Sequence, residues 1–238
     1  VQEKENLIDK YEDKLGTFLM QLTARDLTVP QTQSVSKFLH TISDFERLGD
    51  HAVNIAEVGN ELFAKKLEFS DEGRYEMNLL MDAVQEIVDM TVDAFVESDM
   101  EKATNVEPLR EWIGIMCGEL KLRHVNRLSG GVCKIQQSFA FNDLLTNFER
   151  IAAHCSNIAV AMIELAEDNF DTHEYLKGVK DIHNGDYAQL LECYEKKYNL
   201  NGFVPDASSD QSVGKAKLSV EDKESKSDKD KKIKKDKK

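Results

Sequence analysis

The chain has 238 residues, enough for one large domain or two small ones with a substantial core. It contains only 3 prolines, and two long stretches contain none, which favours long helices over an architecture of strands and turns. The formal net charge is −13, with 11 lysines and 6 acids in residues 215–238 and a net charge of −18 in residues 1–214. A body this acidic is expected to be a poor nucleic-acid binder.

Apolar residues recur with the period of a helix along most of the chain and predict six helices. The first five are expected at residues 3–25, 31–67, 72–98, 101–127 and 132–167, with a kink at Pro108. The sequence DTHE at residues 171–174 has the pattern of a capping box and predicts the start of a sixth, less regular helix. Residues 205–238 are rich in Ser, Asp and Lys and are predicted to be disordered.

The sequence repeats itself after 103 residues. When it is shifted by this amount, residues 42–62 and 145–165 share 9 identical residues in 21 positions. We therefore predict an all-α fold built from two pseudo-repeated antiparallel three-helix bundles. Their boundaries are expected at residues 1–100 and 101–204, followed by the tail of residues 205–238.

Polar residues form one stripe on the second predicted helix. At 100° per residue, Glu57, Asp50 and Asn54 lie about 20°, 40° and 80° from Glu46. Two carboxylates four residues apart offer hard oxygen ligands for Mg, Ca, Mn or Fe. The alternative to a metal site is that these acids form salt bridges that hold helices together, Glu46 with Arg47 and Glu149 with Arg150.

The repeat also contains histidines, but the sequence has no catalytic constellation. No histidine follows an acid by three residues, as a ferritin-like di-iron bundle requires, and Gly-rich phosphate loops and nucleophile motifs are missing from the sequence. His51 and His154 recur in the two copies, but a histidine on a helix is more often a structural residue than a ligand. We therefore expect a protein that is not an enzyme.

The sequence DFERLGDHAVNIAE at residues 44–57 resembles the signature of the PhoU family of phosphate-uptake regulators. A less complete copy, NFERIAAHCSNIA, occupies residues 147–159, as expected for a family with two three-helix repeats. The matching motif residues besides the metal candidates are Asp44, Arg47, His51, Asn54, Glu57, Arg150, His154 and Asn157. RLSGGVC at residues 127–133 and NDLLTN at residues 142–147 are most similar to the PhoU-like domain at the C-terminus of bacterial sodium/phosphate cotransporters.

The resemblance implies a metal ion or cluster, of Fe or of Mn/Mg, held by the Glu-x-x-x-Asp motif of each repeat. In this sequence the corresponding residues are Glu46 and Asp50 in the first repeat and Glu149 in the second. The second aspartate is replaced by Ala153, and Glu57 is matched by Val160. If a metal binds, it is therefore expected at the first repeat, and otherwise no cofactor is expected.

The resemblance further implies a regulatory role in phosphate uptake on the cytoplasmic side of the plasma membrane. The main hypothesis is the cytosolic C-terminal part of a sodium-dependent phosphate cotransporter, with the missing N-terminal membrane domain as its partner. Helical periodicity that begins at residue 3 without a convincing cap is the sequence feature behind this expectation. The alternatives are a free-standing PhoU-like adaptor that contacts a phosphate transporter or sensor kinase, and a metal-binding helical bundle of other function. A homo-oligomer is compatible with each of them.

Overall fold

The computed structural model describes residues 1–166 and 184–204. Every regular element in these two ranges is a helix, which confirms the all-α prediction. The helices are α1 (Gln2–Thr23), α2 (Val29–Lys65), α3 (Asp71–Glu97), α4 (Met100–Ser129), α5 (Ile135–Ala166) and α6 (Asn184–Lys197). The predicted capping box at residues 171–174 and the predicted disordered tail at residues 205–238 lie outside the described residues. None of the described helices combines the length and apolarity that crossing a membrane requires.

Side-chain caps explain where three of the helices begin. Thr28 forms a capping box with Gln31 at the start of α2. Ser70 accepts a hydrogen bond from the backbone of Gly73 at the start of α3, and Asp99 accepts one from the backbone of Lys102 at the start of α4. α4 continues through Pro108 as a single helix of 30 residues.

The helices pack as an interlocked set within one compact unit, Val1–Phe203. α1 packs on α2, α2 on α5 and α5 on α4, so that these four helices are neighbours in that order. α3 follows α2 in the sequence, but it packs on α4 and α5 of the second repeat. α6 packs on α4. The second unit, Val204–Lys238, is described only at its first residue.

The core lies where α3, α4 and α5 meet. Its fully buried side chains include Leu80 and Ile87 of α3, Leu109 and Ile113 of α4, and Ile158 of α5. A buried ion pair also joins α3 to α4: an Oε of Glu76, which is 0% exposed, lies 2.7 Å from Nη2 of Arg127. Because a buried charge without its partner is costly, this pair fixes the position of α3 on α4.

Candidate functional site

Residues of the repeated motif meet where α2 and α5 pack side by side. Nδ1 of His51 donates a hydrogen bond to Oδ1 of Asn147 at 2.8 Å, and Nδ2 of Asn54 donates to the same oxygen at 3.4 Å. Since an amide oxygen can only accept, the proton of the His51 ring lies on Nδ1.

The same contact is made a second time in the opposite direction. Nδ1 of His154 donates to Oδ1 of Asp44 at 2.8 Å, and Nδ2 of Asn157 donates to that oxygen at 3.2 Å. Asp44 and Asn147 are equivalent positions of the two repeats. The reciprocal bonds therefore relate α2 and α5 by an approximate two-fold axis and set them antiparallel. We refer to these six residues, Asp44, His51, Asn54, Asn147, His154 and Asn157, as the seam.

The two histidine rings stack on each other at the centre of the seam. Their centroids are 5.5 Å apart and their planes differ by 28°. Each ring is thus held at one edge by a hydrogen bond and at one face by the other histidine ring. The structure gives the motif histidines a structural part, which was one of the two interpretations that the sequence left open.

The acidic residues of the first motif turn away from the seam toward α1. Glu46 and Asp50 lie beside each other on α2, and Asp9 of α1 is close enough for its negative charge to raise the pKa of Glu46. Burial raises the pKa of Glu46, and the charge of Asp50 together with a hydrogen bond to it raises that pKa further. Oδ1 of Asp9 is buried and has no hydrogen-bond partner.

These three carboxylates have the oxygen chemistry that a hard divalent cation requires. Among the described residues, none of the three has a basic side chain within ion-pair distance. The same part of the chain contains no group of three His, Cys, Asp or Glu side chains that is already arranged to hold a metal ion. The set therefore fits a cation in its chemistry, while binding requires the side chains of α1 and α2 to draw together.

The second motif is arranged differently. Oε2 of Glu149 lies 3.1 Å from Nζ of Lys121 on α4, and both side chains are largely exposed. The neighbouring position that would supply a second carboxylate is Ala153. Glu149 thus has a cationic partner, Lys121, but no second carboxylate at the motif position that matches Asp50.

Asp9 was not anticipated from the motif, although a signal for it exists in the sequence. When α1 is placed on α4 with a shift of 102 residues, Glu5, Asp9 and Gly16 match Glu107, Glu111 and Gly118. Glu5 and Asp9 thus repeat the acidic i, i+4 spacing of Glu46 and Asp50 on the neighbouring helix.

The counterparts of Glu5 and Asp9 on α4 already have partners. Glu107 accepts hydrogen bonds from Arg110 at 2.6 Å and from Ser156 at 2.5 Å. Glu111 accepts one from the hydroxyl of Tyr187 at 2.8 Å. Every acid of the second set is therefore engaged, whereas the first set has an unpartnered oxygen.

The remaining motif residues, Arg47, Glu57 and Arg150, are exposed. Their side chains form no hydrogen bond or ion pair with the rest of the described chain. The predicted salt bridges between Glu46 and Arg47, and between Glu149 and Arg150, are consequently not present.

Comparison with known proteins identifies the repeated architecture. The family model for the PhoU domain matches residues 1–59 and 77–162, which is more than half of the chain and includes both motifs. The chain belongs to the PhoU family. In this PhoU domain the signature residues have two separate tasks, because the seam joins the repeats while Glu46 and Asp50 face α1.

Two curated PhoU proteins are similar to most of the chain. The phosphate-specific transport system accessory protein PhoU homolog 1 of Thermotoga maritima is 25% identical over 186 residues, covering 78% of this chain and 79% of its own length. The corresponding PhoU homolog of Clostridium acetobutylicum is 23% identical over 164 residues, covering 68% and 74%. The crystal structure of PhoU from Pseudomonas aeruginosa matches with a TM-score of 0.65 at 22% identity, covering 71% of this chain and 80% of that one, which shows the common fold.

Proposed function

We propose that this PhoU domain is a regulatory accessory protein of phosphate uptake that acts by binding a transport component at the cytoplasmic side of the membrane. The observation that carries the proposal is the family match across both repeats, together with relatives that are named as accessory proteins of phosphate-specific transport. A binding role also agrees with the site, whose residues hold helices together or offer carboxylates.

The mechanism is a shift of populations in the partner. A compact helical body that contacts a transporter more strongly in one of its states favours that state by the difference in binding free energy. The acidic body of the protein makes basic surfaces of the transporter or of a sensor kinase the complementary partners.

Two forms of this role differ in whether the domain is free or attached. The two relatives are matched over most of their own length, which supports the free-standing adaptor. The similarity of residues 127–133 and 142–147 to cotransporter domains supports the cytosolic part of a sodium/phosphate cotransporter as the second candidate.

Complementation separates these two forms. The chain is expressed in a bacterium from which its own PhoU has been deleted, and initial phosphate uptake is measured in phosphate excess with and without sodium. For the adaptor we expect repression of uptake to return independently of sodium. An effect confined to sodium-driven uptake supports the attached form, and no effect on uptake under either condition contradicts the regulatory proposal.

We further propose that Asp9, Glu46 and Asp50 bind a divalent cation, Fe²⁺, Mn²⁺ or Mg²⁺, between α1 and α2. The unpartnered oxygen of Asp9 and the raised pKa of Glu46 support it, since both are relieved when a cation neutralises the cluster. The ion would add a link between two helices and supply no reaction step.

Thermal unfolding with each metal and with chelator tests the cation site. At a metal concentration about 100 times Kd, the gain in the free energy of unfolding is about 2.7 kcal/mol. Glu46→Gln should abolish this gain, whereas Glu149→Gln, the matched change in the second repeat, should leave it intact. A wild type that is equally stable with metal and with chelator contradicts the site. So does a metal-dependent gain that both variants lose to the same extent.

A further inference from the structure

The hairpin of α4 and α5 carries a group of exposed apolar side chains near its turn. Leu122 is 64% exposed, Val125 57%, Val132 64%, Ile135 63% and Phe139 67%. The first two lie in the last turns of α4, the third in the connection, and the other two at the start of α5. We refer to these five side chains as the hairpin tip. Large apolar side chains grouped in this way mark a site of association with a protein or a membrane.

Contacts between α4 and α5 place the helical members of the hairpin tip on one side of the helix pair. Nε2 of His124 lies 2.8 Å from Oγ of Ser138, so the two helices meet at these residues. Val125 and Phe139 each follow one of them by one residue, which is a rotation of about 100°. Because the two helices run in opposite directions, this rotation brings both side chains out on the same side of the pair. The other two helical members lie one turn away and extend this surface.

The charge near the hairpin tip differs in sign from that of the whole body. Residues 120–142 contain four basic residues and no acid, a net charge of +4, whereas residues 1–214 together carry −18. Lys134 lies between Val132 and Ile135 in the sequence, and its side chain is exposed. Apolar side chains accompanied by lysine and free of carboxylates match the surface of an anionic bilayer.

Three of the four basic residues form ion pairs within the protein: Arg123 and Arg127 with Glu76, and Lys121 with Glu149. Their charges are therefore partly neutralised. Most of the attraction to a bilayer then comes from the apolar side chains, to which Lys134 adds. No carboxylate of residues 120–142 opposes the approach to anionic lipid.

We propose that the hairpin tip binds the surface of an anionic phospholipid bilayer, with its apolar side chains among the headgroups and Lys134 at the level of the phosphates. The inference goes beyond the regulatory role, because a direct contact with lipid needs no protein partner. Apolar side chains buried about 5–10 Å into the headgroup region hold a protein at the membrane. The long side chain of Lys134 reaches the phosphates while its methylene groups follow the apolar surface.

The exposure of the hairpin tip favours lipid over a protein partner. Each of its five side chains exposes more than half of its surface, whereas side chains that line a groove are shielded by the walls of the groove. A protein partner has to offer a matching pocket for each projecting side chain. Fluid lipid adapts to all of them.

Co-sedimentation of the full chain with protein-free lipid vesicles tests the proposal. The vesicles contain phosphatidylcholine alone or with about one third phosphatidylglycerol, and we expect binding to the anionic vesicles that weakens in high salt. Val132→Glu should lower the partition coefficient at least about 10-fold, because it removes an inserted side chain and adds a charge that lipid phosphates repel. Val96→Glu is the control, since Val96 is 76% exposed on α3 and lies outside the hairpin tip. Circular dichroism checks that both variants keep their helices.

Quenching of tryptophan fluorescence by brominated lipid chains measures insertion separately. Trp112 is the single tryptophan of the sequence and gives the same background in every variant. Phe139→Trp should be quenched beyond this background on anionic vesicles, whereas Val96→Trp should not. Equal quenching of the two variants would contradict insertion of the hairpin tip.

Each outcome of the vesicle experiment decides the proposal. A full chain that does not bind anionic vesicles overturns it, and loss of phosphate regulation in Val132→Glu would then assign the hairpin tip to a protein partner. Binding that Val132→Glu leaves unchanged also overturns it and assigns the lipid contact to another part of the chain, such as the lysines of residues 215–238. Equal loss in Val132→Glu and Val96→Glu overturns it as well. Because the vesicles contain no transport component, failure of the complementation experiment leaves this result unaffected.

Discussion

The helix pair α1–α2 and the helix pair α4–α5 are built on the same sequence pattern but have different surroundings. α4 and α5 lie under α3, and their shared apolar face is the core of the molecule. In the described residues, α1 and α2 bear the matching face without a third helix on it. In the same part of the chain, Asp9, Glu46 and Asp50 lack basic and hydroxyl partners of the kind that Glu107 of α4 has in Arg110 and Ser156. Duplication of a pattern therefore does not duplicate its surroundings: one copy forms the core, while the other leaves large apolar side chains exposed among the described residues.

The largest expected difference between the two pairs is in stability. Leu109→Ala should lower the free energy of unfolding by about 2–5 kcal/mol, because Leu109 is 0% exposed and the change leaves a cavity. Leu7→Ala is the same chemical change at the matched position, and we expect a loss below about 1 kcal/mol in dilute protein because Leu7 is half-exposed. Urea denaturation of both variants measures the contrast, which equal losses would contradict.

The rate of thiol alkylation should distinguish the buried face of α4 and α5 from the exposed face of α1. Burial raises the pKa of Cys117 and of Cys155 to about 12, so that both are protonated and inaccessible in the folded protein. Their matched positions in the first pair are Leu15 and Ala52, which are exposed. In a Cys133→Ser, Cys193→Ser background, Leu15→Cys should be alkylated at pH 8 at least about 100-fold faster than the two buried cysteines. Mass spectrometry of the labelled peptides gives the rates. Similar rates at all sites would contradict the difference in solvent exposure between the two helix pairs.

The seam joins the two pairs, and its two halves differ by one charge. Asp44→Ala removes the acceptor of two donors, His154 and Asn157, and should cost about 1–3 kcal/mol. Asn147→Ala removes the neutral acceptor on the other side and should cost less, since hydrogen bonds to charged groups are stronger. A double-mutant cycle of Asp44→Ala with His154→Ala measures the coupling, and a coupling energy of zero would show that the contact does not contribute to stability.

The smallest expected effect is a dependence of stability on pH that is due to His124 of α4. Burial lowers the pKa of His124, and the positive charge of Arg127 lowers it further. The folded protein therefore binds this proton more weakly than the unfolded chain, whose histidine pKa is about 6.5. Stability due to His124 is complete above about pH 6.5 and is lost as pH falls toward the folded pKa. Chemical denaturation between pH 5 and pH 8 should be flatter for His124→Gln; an unchanged slope would contradict this assignment.

Much of the fold follows from the sequence because its helices have strong apolar periodicity and clear caps. The shift of 103 residues was enough to identify α2 and α5 as equivalent helices, which the reciprocal bonds of the seam bear out. The sequence could not separate Asn54 from Glu46, since an angle of about 80° on one helix spans the directions of two different neighbours. It also could not show that α3 packs on the second repeat, because helical periodicity indicates which face is buried and not what buries it.

The metal candidates show the same limit. Glu46 and Asp50 could be selected from their spacing, but Asp9 lies 37 residues away and becomes a neighbour only through the packing of α1 on α2. Glu149 has the same motif position as Glu46, and its ion pair with Lys121 depends on a helix that the motif does not include.

The seam also records how a chain of this kind can arise. One repeat contains both the donors and the acceptor of the contact, so a half-length chain with this pattern would have what it needs to pair with an identical molecule. Joining two such halves in one gene turns an encounter between separate molecules into an intramolecular one, at an effective concentration set by the connecting segment. Once the halves are joined, each can change independently of the other, as at the position where the first repeat has Asp44 and the second has Asn147.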